Sequence, residues 1–135
     1  EGVVAEWRSL PALLAEADVV SLHVPLTDAT KEMIGPDAFA RMKPGAVLIN
    51  TARGALVDEA ALAAALRSGR IGAAGLDVFV DEPAGKTNPL FALPNVVVAP
   101  HIAWLTMETL DRSLAVAVDN CRRLRAGEPL RHRLV

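Results

Sequence analysis

The stretch "GAVLINTARGALVDEAALAAALRSGRIGAAGLDVFV", residues 45 to 80, decides the fold. It opens on an apolar run, 45 to 50, and closes on another, 72 to 80. Neither alternates cleanly with polar residues, the pattern of strands covered on both faces. Between them Asp58 is placed to cap a helix, Leu62 and Leu66 stack one turn apart, and Gly69 stops it. A helix between two such runs predicts a crossover unit with parallel strands.

The flanking sequence repeats the alternation. "ADVVSLHV" (17 to 24) and "NVVVAP" (95 to 100) read as two further strands. "SLPALLAEA" reads as a helix with Ser9 at its N-cap and Pro11 in its first turn, and "PDAFARMKPG" as a short helix ended by Pro44-Gly45. The longest helix is expected at about 106 to 126. Thr106 caps it, Leu110, Leu114, Ala117, Val118, Cys121 and Leu124 recur at helical spacing, and Gly127 ends it. The expected class is therefore α/β, a Rossmann-type, doubly wound parallel sheet, in which ligands sit beyond the carboxyl ends of the strands.

Composition narrows the functional classes. The chain has 135 residues, 52% of them hydrophobic and 22% charged, which suits one globular domain with a real core. A formal net charge of −2 gives no electrostatic footprint for nucleic acid. The arginines at 122, 123, 125, 131 and 133 read as a solvated helix end. The single cysteine, Cys121, excludes an internal disulfide and a thiolate zinc cage, and its place in the apolar pattern predicts a buried structural thiol. No metal site is expected. No run approaches the roughly 18 apolar residues of a membrane span, so no membrane partner is expected and a reducing, cytoplasmic setting is. The chain opens on "EGVVAEW", without an initiating Met and already close to the first helix.

Candidate chemistry collects after the strands. Arg53 offers a planar fork of donors matched to a carboxylate, with Gly54 behind it permitting a tight turn. A loop arginine pairing with Asp58 explains the same pattern. Glu82 precedes Pro83, which biases its backbone toward extended geometry, and His101 follows Pro100 at a strand end. An acid beside an imidazole raises its pKa and chooses its tautomer, the usual support of an acid–base histidine.

Four segments in order carry a family resemblance. "VLINTARGALVDEAAL" (47 to 62), "GAAGLDVFVDEP" (72 to 83), "LPNVVVAPHIAWLT" (93 to 106) and "ADVVSLHVPLTDATKEMIG" (17 to 35) resemble the D-isomer-specific 2-hydroxyacid dehydrogenases. The resemblance implies hydride transfer between NAD or NADP and a small 2-oxo or D-2-hydroxy acid, with glyoxylate or hydroxypyruvate favoured and 3-phosphoglycerate a further candidate. It implies that Arg53 holds the substrate carboxylate, that His101 exchanges the proton of the carbonyl oxygen, and that Glu82 holds the imidazole and lifts its pKa. Val24, Pro25, Thr51, Ala52, Arg53, Asp77, His101, Ala103 and Trp104 would line the cofactor cleft, and the protein would be a homodimer. NADH-binding co-repressors of the same fold keep the same three residues and form the alternative. Trp104 departs from the small residue common in the family, and packing under the last helix is the expected use of its indole. G-x-G-x-x-G, the phosphate-binding fingerprint, occurs nowhere in the chain. Residues 1 to 135 are therefore expected to be the C-terminal portion of a cofactor domain, lacking its N-terminal βαβ half and poorly active alone.

Overall fold

A computed structural model of the chain describes residues 5–133, so the opening tetrapeptide and the last two residues of the expected 1–135 domain lie outside the described part. The chain divides into two compact units, one through His101 and one from Ile102.

The first unit is built on four parallel strands: β1 (Val19–Leu22), β2 (Ala46–Asn50), β3 (Ile71–Leu76) and β4 (Val96–Val98). Helix α1 (Leu10–Glu16) precedes β1, α2 (Pro36–Arg41) links β1 to β2, and α3 (Glu59–Arg67) links β2 to β3. The strands lie side by side in sequence order, one wing of a doubly wound sheet. Successive crossovers of one hand in such an order put their helices on one face. The packing of α1 on α2 and of α2 on α3 agrees with this.

That order corrects an expectation. The strands are buried on one face and partly open on the other, not covered on both. Burial alternates: Val20, Leu22, Ala46, Leu48 and Ala74 are buried, while Val19 is exposed and Val47 and Ile49 are half-buried. Leu14, Ile34, Met42, Leu62, Leu66 and Leu90 complete a single core under the helices. Each such side chain contributes on the order of 2 kcal/mol on burial.

Local signals explain the boundaries. Asp58 caps α3, its Oδ1 accepting from the Ala61 N–H at 3.0 Å, and Gly69 follows the helix at φ 73°. Ser9 sits at the α1 cap without a side-chain bond, so only its carbonyl serves the helix, accepting from Leu13 N–H. Strand β3 stops at Leu76 rather than running to 80. Past Asp77 the backbone donors of Phe79 and Val80 go to side chains, Glu82 and Glu59, and the chain leaves the sheet. Strand β4 is an edge, with Val97 75% exposed, so it is not a covered strand. It continues loosely past Val98: Ala99 N–H bonds Leu76 O, and His101 N–H bonds Asp77 O at 2.8 Å. Pro100 occupies the position between these donors, where an N–H would point off the sheet edge and its lack costs nothing.

The second unit holds α4 (Met107–Ala126), capped by Thr106 Oγ1 accepting from Thr109 N–H at 3.1 Å and ended by Gly127 at φ 71°. The helix matches its expected bounds, but none of its residues is buried. Cys121 is exposed, correcting the buried thiol expected there. Periodicity assigned it to the apolar face of a helix none of whose residues is buried. Asp119 binds Arg123 at 2.8 Å and Arg131 at 2.9 Å, so part of the basic cluster is ion-paired on the helix end.

Candidate functional site

The carboxyl ends of β2, β3 and β4 carry the candidate residues on three successive loops. Asn50, the last residue of β2, is 1% exposed and braces the first loop. Its Oδ1 accepts from Ala52 N–H at 3.1 Å, and its Nδ2 donates to Arg53 O at 2.9 Å. Both polar ends of a buried amide are thereby used. Arg53 is exposed, with Nη1 donating to Ala52 O at 2.6 Å. Asp58, its alternative partner, is committed to its helix cap. Gly54 must be glycine for a packing reason: a Cβ there would stand 1.9 Å from the carbonyl carbon of Phe79. The Arg53 turn and the loop after β3 therefore lie backbone on backbone.

That second loop carries Glu82, whose peptide bond to Pro83 is cis. Glu82 Oε1 accepts from Phe79 N–H at 3.0 Å, and Oε2 accepts from His101 Nδ1 at 2.7 Å. An ionised carboxylate only accepts, so the Nδ1 carries the proton. The imidazole donor, then the Phe79 amide and the charge of Arg53, hold the Glu82 carboxyl below the ordinary glutamate range. His101 itself has φ 58°, the left-handed region that costs a non-glycine residue about 1 kcal/mol or more. Its N–H bond to Asp77 O anchors that turn.

Two hollows flank these groups. One of about 460 Å³ is lined by His23, Val24, Pro25, Leu26, Thr51, Ala52 and Arg53. It gathers the expected cofactor residues of the loops after β1 and after β2 in one place. Its mixed lining, apolar at Val24, Pro25, Leu26 and Ala52 and polar at His23, Thr51 and Arg53, fits a ligand with flat rings and polar sugars, as in a nicotinamide dinucleotide. The bridge between Ile34 and Val57 ties the two loops together. The other hollow, about 510 Å³, is bounded by Asp77, Glu82 and His101 and by an apolar wall of Phe79, Phe91 and Val98. Phe79 and Phe91 meet edge to face at 5.3 Å. Ala103 and Trp104 lie in the second unit, both exposed; Trp104 is 57% exposed, so packing does not bury the indole as expected.

Several participants escaped the sequence reading. Asn50 and Glu59 look like ordinary strand-end and first-turn polar residues. Phe79 and Phe91 look like scattered core aromatics, and only the path of the loop brings them beside Glu82. His23 is recognisable as an ionisable residue at the end of the first strand but not as part of this lining; its Nε2 lies 2.8 Å from Ser21 Oγ.

Residues 1–103 match the family described as D-isomer specific 2-hydroxyacid dehydrogenase, NAD binding domain. A glyoxylate reductase of Aeropyrum pernix is 52% identical over 116 residues, 86% of this chain and 35% of that protein. A glycerate dehydrogenase of Methylorubrum extorquens is 49% identical over 122 residues, 89% of this chain and 39% of that protein. Among solved structures, D-lactate dehydrogenase with NAD+ from Lactobacillus jensenii superposes with a TM-score of 0.85 at 39% identity, over 95% of this chain and 42% of that one. The chain thus spans well under half the length of these relatives. By sequence and by fold, it belongs to the D-isomer specific 2-hydroxyacid dehydrogenases, as part of their NAD-binding domain.

Proposed function

We propose that the intact protein is an NAD(P)-dependent oxidoreductase that interconverts a small 2-oxo acid and its D-2-hydroxy acid. Glyoxylate or hydroxypyruvate is the preferred substrate, in line with the similarity to a glyoxylate reductase. The observation that carries the reading is the 2.7 Å bond from His101 Nδ1 to Glu82, with Arg53 close enough to influence the same carboxylate.

The residues divide the chemistry. Arg53, exposed and held by a backbone carbonyl, turns its guanidinium to the substrate carboxylate in a two-pronged ion pair. His101 presents Nε2 to the substrate oxygen, donating a proton to the carbonyl oxygen in reduction and taking the hydroxyl proton in oxidation. Glu82 fixes the Nδ1–H tautomer and offsets the imidazolium charge while the proton resides on the ring. Val24, Pro25, Thr51 and Ala52 hold the cofactor in the smaller hollow, near Arg53. A bound nicotinamide supplies or accepts the hydride.

The test is steady-state NADH and NADPH oxidation by the intact protein with glyoxylate and with hydroxypyruvate. Turnover with either acid is expected, and Arg53→Ala is expected to lower kcat/KM about a hundredfold, the loss of a charge-assisted hydrogen-bonded pair. Cofactor binding without turnover would replace the enzyme with a cofactor-sensing protein. An Arg53→Ala variant with near wild-type kcat/KM would remove Arg53 from substrate binding.

A further inference from the structure

We propose that Glu59 is a positioning residue for the Glu82–His101 pair, acting through the loop that carries Glu82; this rests on the reading above that the pair handles the substrate proton. Glu82 sits on the irregular segment between β3 and the turn Pro89–Ala92. Its own bonds, to Phe79 N–H and His101, do not tie that segment to the helices beneath. Glu59 does. Its Oε1 accepts from Val80 N–H at 2.7 Å, and its Oε2 accepts from Asn88 Nδ2 at 3.1 Å. One carboxylate thereby grips the loop on both sides of Glu82, two residues before it and six after.

Both ends of this clamp are well founded. Glu59 is the first residue of α3, whose Leu62 and Leu66 are buried in the core. A negative charge at that position is favoured by the unpaired N–H groups of the first helical turn. At the other end, Asn88 Oδ1 accepts from Leu90 N–H at 3.0 Å, and the Leu90 side chain is fully buried. The loop has little lateral tolerance, because its Phe79–Val80 backbone lies directly on Gly54. Movement at Val80 is thus felt both by the carboxylate that holds His101 and by the turn that carries Arg53.

The chemistry demands a carboxylate. Val80 N–H and the Asn88 amide nitrogen are both donors, and only a side chain with two accepting oxygens satisfies both. Glutamine accepts at one oxygen and opposes the other donor with its own N–H, so it holds one limb. Alanine holds neither.

The experiment compares Glu59→Ala, Glu59→Gln and wild-type intact protein. Its readouts are kcat and KM for the 2-oxo acid, thermal stability, and the downfield proton resonance of His101 Nδ1–H in histidine-labelled protein. Glu59→Ala is expected to lose that resonance to exchange and to lower kcat about tenfold with KM changed less than threefold, the signature of a misplaced acid–base group rather than a lost substrate contact. Glu59→Gln is expected to fall between alanine and wild type in both. A Glu59→Ala protein that keeps the resonance and kcat would overturn the proposal. So would one in which kcat, KM and melting temperature decline together with no partial rescue by glutamine, since that is a merely structural role. Should Glu59→Ala not fold, Asn88→Asp decides: it keeps the cap on Leu90, removes the donor to Glu59 and sets a like charge opposite it. Loss of the resonance in Asn88→Asp supports the clamp, and its retention rejects it. Absence of reductase activity in the wild type would sink the proposed reaction, and the resonance would still decide whether Glu59 holds the pair.

Discussion

At the scale of single residues, Glu82 shows how a candidate acid–base site is tuned with little burial. Its side chain is 37% exposed, yet its carboxyl is held below the usual range, first by the His101 imidazole and then by the Phe79 amide. A carboxyl whose pKa is depressed in the folded state stabilises that state above its unfolded pKa, and the contribution is lost as pH falls through the folded value. Solvent screening keeps the contribution small at such exposure. The expected outcome is a Glu82 carboxyl titration, followed by carbon NMR, with a midpoint below that of an ordinary glutamate, and a rise of that midpoint in His101→Ala. An unchanged midpoint in the variant would mean that the Phe79 amide and the Arg53 charge set it without the imidazole. Arg53 and His101 stood out in the sequence as ionisable side chains three residues past a strand, and Glu82 as an acid fixed before a proline on the loop that follows β3. Glu59 and Asn50 did not, because what distinguishes them is bonding to backbone groups whose positions exist only once the loops are folded.

At the scale of elements, helix ends were read more securely than coverage. Asp58, Thr106, Gly69 and Gly127 mark their helices through side-chain caps and left-handed turns, local features that need no tertiary partner. Coverage depends on what lies opposite. The apolar residues of α4 and the valines of β4 announced a face without showing whether the chain covers it, hence the misjudged Cys121 and edge strand. With no buried residue, α4 depends more than α3 on its caps and its Asp119 ion pairs. Thr106→Ala is therefore expected to weaken its first turn by about 1 kcal/mol, a roughly fivefold faster exchange of the Thr109 amide. Thr106→Ser should restore the wild-type rate. Hydrogen exchange measured by NMR checks both, and an unaltered Thr109 rate in the alanine variant would show that the cap carries no weight.

At the scale of the whole molecule, the order β1-β2-β3-β4 presents three consecutive loops on one edge, and the hollow at His23 to Arg53 is the cofactor's proposed seat. The strand–helix alternation made the parallel sheet legible, because parallel neighbours require long crossovers. The open second face was not, since apolar runs look alike whether their cover comes from within a chain or beyond it. No G-x-G-x-x-G is present to cradle the pyrophosphate on a helix start. Residues 1 to 135 expressed alone are accordingly expected to bind NADH no more tightly than on the order of millimolar, as measured by titration calorimetry. Tighter binding would mean that the hollow suffices without that cradle.

The pairing of Asn50 with Leu76, and of Leu76 with Val98, gives the sheet a further office, that of a measuring scale. The groups at 53, 82 and 101 are strangers along the chain, and their spacing in space is counted off by strand alignment. A slip of β4 by one residue would carry the imidazole about 3.3 Å along the strand and turn alternate side chains to the opposite face. The one irregular step, the skipped partner at Gly72, lies at the far end of β3, where Gly45 O leaves no space for a Cβ. Faults in alignment are thus tolerated where the strands begin, while the three pairs nearest the candidate site remain in step.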